Sequence, residues 1–157
     1  MGFKLLGSLL MLLSGGLLAW SLVRRERVRS ALLAGWIDLI AYIGNQIDCY
    51  LMPIGDILAS VDPKRLPIPP NTSAPLTLEG IWEVGRSYLE PETARLIGAF
   101  TREIGGGYRE EQVKRCAYYV QALREAHRQQ IEAMPSRLRV IVTLCLAAAA
   151  TAAILLW

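Results

Sequence analysis

The chain has 157 residues, 53% of them hydrophobic, with seventeen Lys and Arg against fourteen Asp and Glu, a formal charge of +3. The hydrophobic share is high for a soluble domain of this size, and the basic excess is concentrated at Arg24, Arg25, Arg27 and Arg29, which argues against a nucleic-acid-binding surface. Cys49, Cys116 and Cys145 form no CxxC pair, so neither a zinc site nor a disulfide framework is expected, and all three read as reduced thiols.

The first segment, Leu5–Val23, carries no charged residue, and neither does the last, Val140–Trp157. A hydrocarbon layer of about 30 Å needs roughly 20 helical residues to cross it, and lipid leaves backbone groups no partner but their own helix. Residues 1–23 and 137–157 are therefore expected to be transmembrane helices, with a polar domain at 24–136 between them. Arg24, Arg25, Arg27 and Arg29 follow the first span, and Arg137 and Arg139 precede the second. Such collars stay on the cytoplasmic side. They place the middle domain in the cytoplasm, place both termini across the membrane, and face the lipid headgroups. A cleaved signal peptide is the rival reading of 1–23, but its apolar run is long and four arginines oppose export of the chain beyond it. Trp20 and Trp157 mark interfacial levels. Small residues at four-residue spacing, Gly15 with Ala19 and Ala148 with Ala152, offer close helix packing.

Beyond the first span the helical spacing continues through Val28, Leu32, Trp36, Leu39, Ile40, Ile43, Ile47 and Tyr50, up to Pro53. A short helix is expected at Ile54–Val61. The segment 62–75 holds Pro63, Pro67, Pro69, Pro70 and Pro75 and predicts an extended surface loop. Thr77 is positioned to cap a third helix running to about Leu89, with Leu78, Ile81, Trp82, Gly85 and Leu89 on its buried stripe. Pro91 opens a fourth helix, lined by Ile97, Phe100 and Ile104, and Gly105–Gly107 stop it. A fifth, about Arg109–Met134, starts on Glu110 and Glu111 and keeps Val113, Cys116, Val120, Leu123, His127 and Met134 at roughly 3-4 spacing. Pro135 interrupts it, and Ser136 is placed to cap the second span. No segment alternates with period two. The fold class predicted is all-α, an antiparallel cytoplasmic bundle of about five helices flanked by two membrane helices.

No constellation for catalysis, cofactor or metal emerges. Gly105–Gly107 lacks a following Walker lysine and a preceding strand. Glu110 and Glu111 are adjacent on a helix and do not face one another. His127, the one histidine, has no Cys or Asp near it in sequence, so core-edge packing outweighs a role in a small membrane enzyme. Tyr118 and Tyr119 lack the basic stripe that would hold a nucleic acid.

The order of these features resembles one family. Arg24–Arg25 follow a spanning helix; Tyr50–Leu51–Met52–Pro53–Ile54 end the next; Ile81–Trp82 mark a third; and Ile104–Gly105 lead to Gln112 ahead of a long helix and a second span. In this it is similar to the stage III sporulation protein AB family of endospore-forming bacteria, over nearly the whole chain. Pro53, Ile54, Trp82, Gly105 and Gln112 carry the likeness. The proline-rich loop stands where the family has a further helix, and Tyr108 where it has an Asp. The resemblance implies a non-enzymatic platform component of the mother cell–forespore channel, in the outer forespore membrane. Its soluble domain would be similar to the platform proteins of type II secretion and type IV pilus systems. Its partners would be the lipid bilayer, other channel subunits and a cytoplasmic secretion-type ATPase, with no nucleic acid. A platform subunit of a pilus or secretion machine outside sporulation is the alternative.

Overall fold

In the computed structural model the chain is all-α, with no strand among the described residues. These are residues 2–70, 72–73 and 77–155; the side chains of 2–13, 15, 18, 137, 138, 141, 145, 146, 149, 150 and 152–155 lie outside the description. Five α-helices are described: α1 (Gly2–Tyr50), α2 (Ile54–Ser60), α3 (Leu78–Gly85), α4 (Pro91–Glu103) and α5 (Arg109–Leu155). Two 3-10 turns, Pro63–Arg65 and Arg86–Tyr88, join them. Among the described residues no helix is long and apolar enough to cross a membrane. Most of 5–23 and much of 140–157, the expected spans, fall outside the described side chains, as do Asn71, Pro75 and Trp157.

The chain divides into two compact units: Met1–Arg27 with Ile131–Trp157, and Val28–Gln130. The second holds the hydrophobic core. Trp36, Leu33, Ile40 and Ile43 of α1, Ile57 of α2, Ile81 of α3, Ile97 and Phe100 of α4 and Leu123 of α5 are fully enclosed. Their 3-4 spacing is the one read from the sequence, and each helix turns that stripe inward because burying it removes apolar area from water.

Within this unit α1 and α5 run antiparallel. Ser30 meets His127, Gly44 lies against Cys116, and Asp48 reaches Arg109, so rising numbers on one helix meet falling numbers on the other. α3 packs on α4 through Trp82, whose indole N–H donates to the Ala94 carbonyl at 2.9 Å. Gly98 is what admits that ring: a Cβ there would stand 2.9 Å from two ring carbons. α5 holds the end of α4, where the Arg115 guanidinium donates to the Glu103 carbonyl and the Tyr119 hydroxyl donates to the Glu103 carboxylate at 2.9 Å. A cation at a helix C-terminus satisfies an orphan carbonyl and suits the dipole.

Four local expectations are corrected. The loop after α2 is not wholly a surface connector: Pro67 and Pro69 are buried, and Pro67 packs on Gly35 of α1. Proline rings bury apolar area like any hydrocarbon, and a rigid extended strip can lie flat on a helix. The third helix ends at Gly85, and a 3-10 turn rather than further α-helix carries the chain to Leu89. Pro135 does not interrupt α5, which passes through it. The missing N–H costs one hydrogen bond, and the turns on both sides hold the path. Ser136 therefore caps nothing; its hydroxyl donates back to the Ala133 carbonyl at 2.8 Å. Thr77 does cap α3, accepting from the Gly80 N–H at 3.1 Å, and Pro91 opens α4.

Candidate docking site at the α1–α2 and α4–α5 turns

One end of the Val28–Gln130 unit gathers features that ordinary folding preferences disfavour. α1 ends at Tyr50, and the next residue, Leu51, has φ +54°. Glycine usually takes this position, because a Cβ in the left-handed region crowds the following carbonyl at about 1–2 kcal/mol. Leu51 takes it while remaining 67% exposed, so its side chain does not offset the strain by burial. Its N–H donates to the Ile47 carbonyl at 3.3 Å, closing the helix end.

Asp48 sits in the last turn of α1, where the dipole disfavours an acid, and Arg109 begins α5, where it disfavours a base. The two meet at 3.3 Å, both about half exposed. Each neutralises a charge that its own helix opposes. Beside them, Gly105 and Gly107 take φ +97° and +93° in the turn from α4 to α5. The Gln112 amide donates to the Gly107 carbonyl at 3.2 Å, and the Glu111 carboxylate lies over Gly107.

Between these turns lies an open groove of about 450 Å³ lined by Ile47, Leu51, Met52, Pro53, Ile54, Gly105, Arg109 and Gln112. Next in sequence to its lining residues Arg109 and Leu51, Tyr108 is 83% exposed and Tyr50 70%. A backbone strained at an exposed leucine and two wrong-end charges fall at these turns, each turn with a solvated tyrosine next in sequence. Natural sequences break local rules chiefly where function requires it.

The structure brings four of the five motif residues, Pro53, Ile54, Gly105 and Gln112, to this groove, although 59 positions separate the first from the last. Trp82 lies elsewhere, half-buried between α3 and α4 with the Arg86 guanidinium 5.4 Å above its ring. Sequence reading singled out the motif residues, with Tyr50 in the Tyr50–Ile54 step and Tyr108 as a departure from the family, but missed the pairing of Asp48 with Arg109. The signal available was an acid at one helix end and a base at the start of another, and only the fold pairs them.

The remaining candidates fall apart from this patch. Arg24, Arg25, Arg27 and Arg139 are exposed, whereas Arg29 is largely covered and pairs with Glu90 at 2.8 Å. Arg137 lies outside the described side chains. Ala19 is half-buried and Ala148 exposed; Gly15 and Ala152 lie outside the described side chains. His127, half-buried, meets the Ser30 hydroxyl at 3.1 Å, and no carboxylate joins this pair among the described residues. No group of His, Cys, Asp and Glu among the described residues could hold a metal ion. Burial pushes the Cys116 thiol up to about 11, and burial followed by the Glu103 hydrogen bond pushes the Tyr119 hydroxyl up to about 12. These groups serve packing between α1, α4 and α5.

No family model, curated protein or solved structure matches the chain.

Proposed function

We propose that the chain is a non-enzymatic, membrane-anchored assembly subunit that docks a partner at the groove between the α1–α2 and α4–α5 turns. The apolar segments at residues 5–23 and 140–157 anchor it, and the arginine collars keep residues 28–130 in the cytoplasm. The resemblance carried by Pro53, Ile54, Gly105 and Gln112 points the same way: a platform component of the mother cell–forespore channel, meeting a cytoplasmic secretion-type ATPase and other membrane subunits.

The observation that carries this reading is the exposed, strained patch. Aromatic side chains anchor protein interfaces, and an open groove lined by Ile47, Leu51, Met52 and Ile54, with the exposed Tyr50 and Tyr108 next in sequence to its lining residues, supplies candidates for such anchors. A photo-crosslinking residue at Tyr108 is expected to capture the ATPase in sporulating cells, and one at the exposed Arg95 of α4 is not. Tyr108→Ala is expected to weaken the capture made from position 50 by about tenfold or more, the scale of an interface hot spot, with the fold intact. Equal capture from positions 108 and 95, or none from either, contradicts the reading.

A further inference from the structure

The unit formed by Met1–Arg27 and Ile131–Trp157 carries the charge excess of the whole chain. It holds six basic residues, Lys4, Arg24, Arg25, Arg27, Arg137 and Arg139, against Glu26 and Glu132, a formal +4. The Val28–Gln130 unit holds eleven basic and twelve acidic residues, a formal −1. The excess is also ordered along α1. Leu17, Trp20, Arg24 and Arg27 follow one another at intervals of three, four and three residues, which puts them within about 80° of arc on one face, over about 15 Å of helix. Leu17 is 64% exposed, Trp20 68%, and both arginines are exposed. Glu26 falls on the opposite side of the helix and has interactions of its own.

We infer that this stripe is a binding site for an anionic phospholipid. It rests on the membrane-anchored reading above. The order matches the layers of such a molecule: Leu17 meets the acyl chain, the Trp20 ring lies at the boundary where amphipathic rings settle, and the two guanidiniums, one turn apart, take the phosphate. A guanidinium fork binds phosphate oxygens in pairs, and a zwitterionic headgroup offers the same phosphate with a cation beside it, which opposes the arginines. The exposed Arg139 of α5 adds a further positive charge to the same unit. The ligand class is therefore a diester phosphate without a compensating amine, such as phosphatidylglycerol.

The full chain, in a Trp157→Phe background, tests this in phosphatidylcholine vesicles at low ionic strength. The vesicles hold a minor share of either brominated phosphatidylglycerol or brominated phosphatidylcholine, whose bromines quench nearby indoles. Trp36 and Trp82 belong to the other unit and supply the unquenched baseline. Phosphatidylglycerol is expected to be enriched at Trp20 by about fivefold or more over phosphatidylcholine, the effect of roughly one arginine near a charged surface or greater. In R24Q/R27Q, with Trp20 in place, that preference is expected to fall to near parity, whereas R86Q/R95Q keeps it. Equal quenching by both lipids in the parent protein overturns the headgroup site and leaves the anchor standing. No quenching by either overturns the anchor itself. Loss of the preference on adding millimolar inorganic phosphate at constant ionic strength would show a site for free phosphate, and would overturn the lipid assignment.

Discussion

Gly98 matters at the α3–α4 contact for the space it leaves. A methyl group there would meet the Trp82 ring at 2.9 Å, and that ring is fixed by its hydrogen bond to Ala94. Gly98→Ala is expected to lower stability by about 1–3 kcal/mol, the usual cost of overpacking, despite alanine's better helix propensity; urea unfolding measures it. Leu51 presents the reverse case. Its strain serves no packing, so Leu51→Gly is expected to leave stability unchanged or raise it by up to about 1 kcal/mol, the strain relieved less the added chain entropy. The same substitution removes an exposed apolar side chain from the groove, so partner capture is expected to fall in the same protein. Lower stability on Leu51→Gly would mean that the leucine is held for packing instead. Two buried acids set the alkaline behaviour. Cys116 ionises at about 11 and Tyr119 at about 12 in the folded chain, both above their ordinary values of 9.0 and 10.0. Across this range the unfolded chain gives up the protons first. The stability they contribute is complete below pH about 9 and is lost as pH rises through the folded values. Melting temperature is expected to fall between about pH 9 and 12, and less steeply in Cys116→Ala with Tyr119→Phe.

At the scale of elements, α1, α4 and α5 arise directly from their apolar spacing. The stripe Leu32, Trp36, Leu39, Ile40, Ile43, Ile47 needed no tertiary information, and Thr77, Pro91 and the glycine turn marked helix ends by local chemistry alone. The features that the sequence could not show are set by contacts between distant segments. Nothing local says that Pro67 will lie on Gly35, because a proline-rich strip reads alike whether solvated or packed. Nor does local chemistry forecast that α5 continues through Pro135, since the break depends on whether neighbouring turns hold. The Asp48–Arg109 pair is the clearest case. Each charge looks misplaced on its own helix, and only antiparallel packing of α1 on α5 supplies the reason. Both side chains are about half exposed, so a double-mutant cycle of Asp48→Asn and Arg109→Gln is expected to give a coupling below about 1 kcal/mol. A coupling of several kcal/mol would make the pair a structural clamp rather than part of a docking surface.

For the whole molecule, the pattern is one of segregation. The core and the groove belong to a unit near electrical neutrality, and the basic excess belongs to the unit that contains both apolar ends. The two uncharged stretches and the arginines beside them were legible from charge and hydropathy alone, because both depend on composition along the chain. The groove was legible only in fragments, because its residues come from two turns far apart in sequence. The central claim, that residues 28–130 face the cytoplasm from a membrane anchor, is tested most directly at Cys49, which is exposed in the last turn of α1. In a Cys116→Ala, Cys145→Ala variant, a membrane-impermeant maleimide is expected to leave Cys49 unlabelled in intact cells and to label it fully once the membrane is opened, with the protein staying in the membrane fraction at alkaline pH. Labelling of Cys49 in intact cells, or release of the protein by alkaline carbonate, would contradict the account.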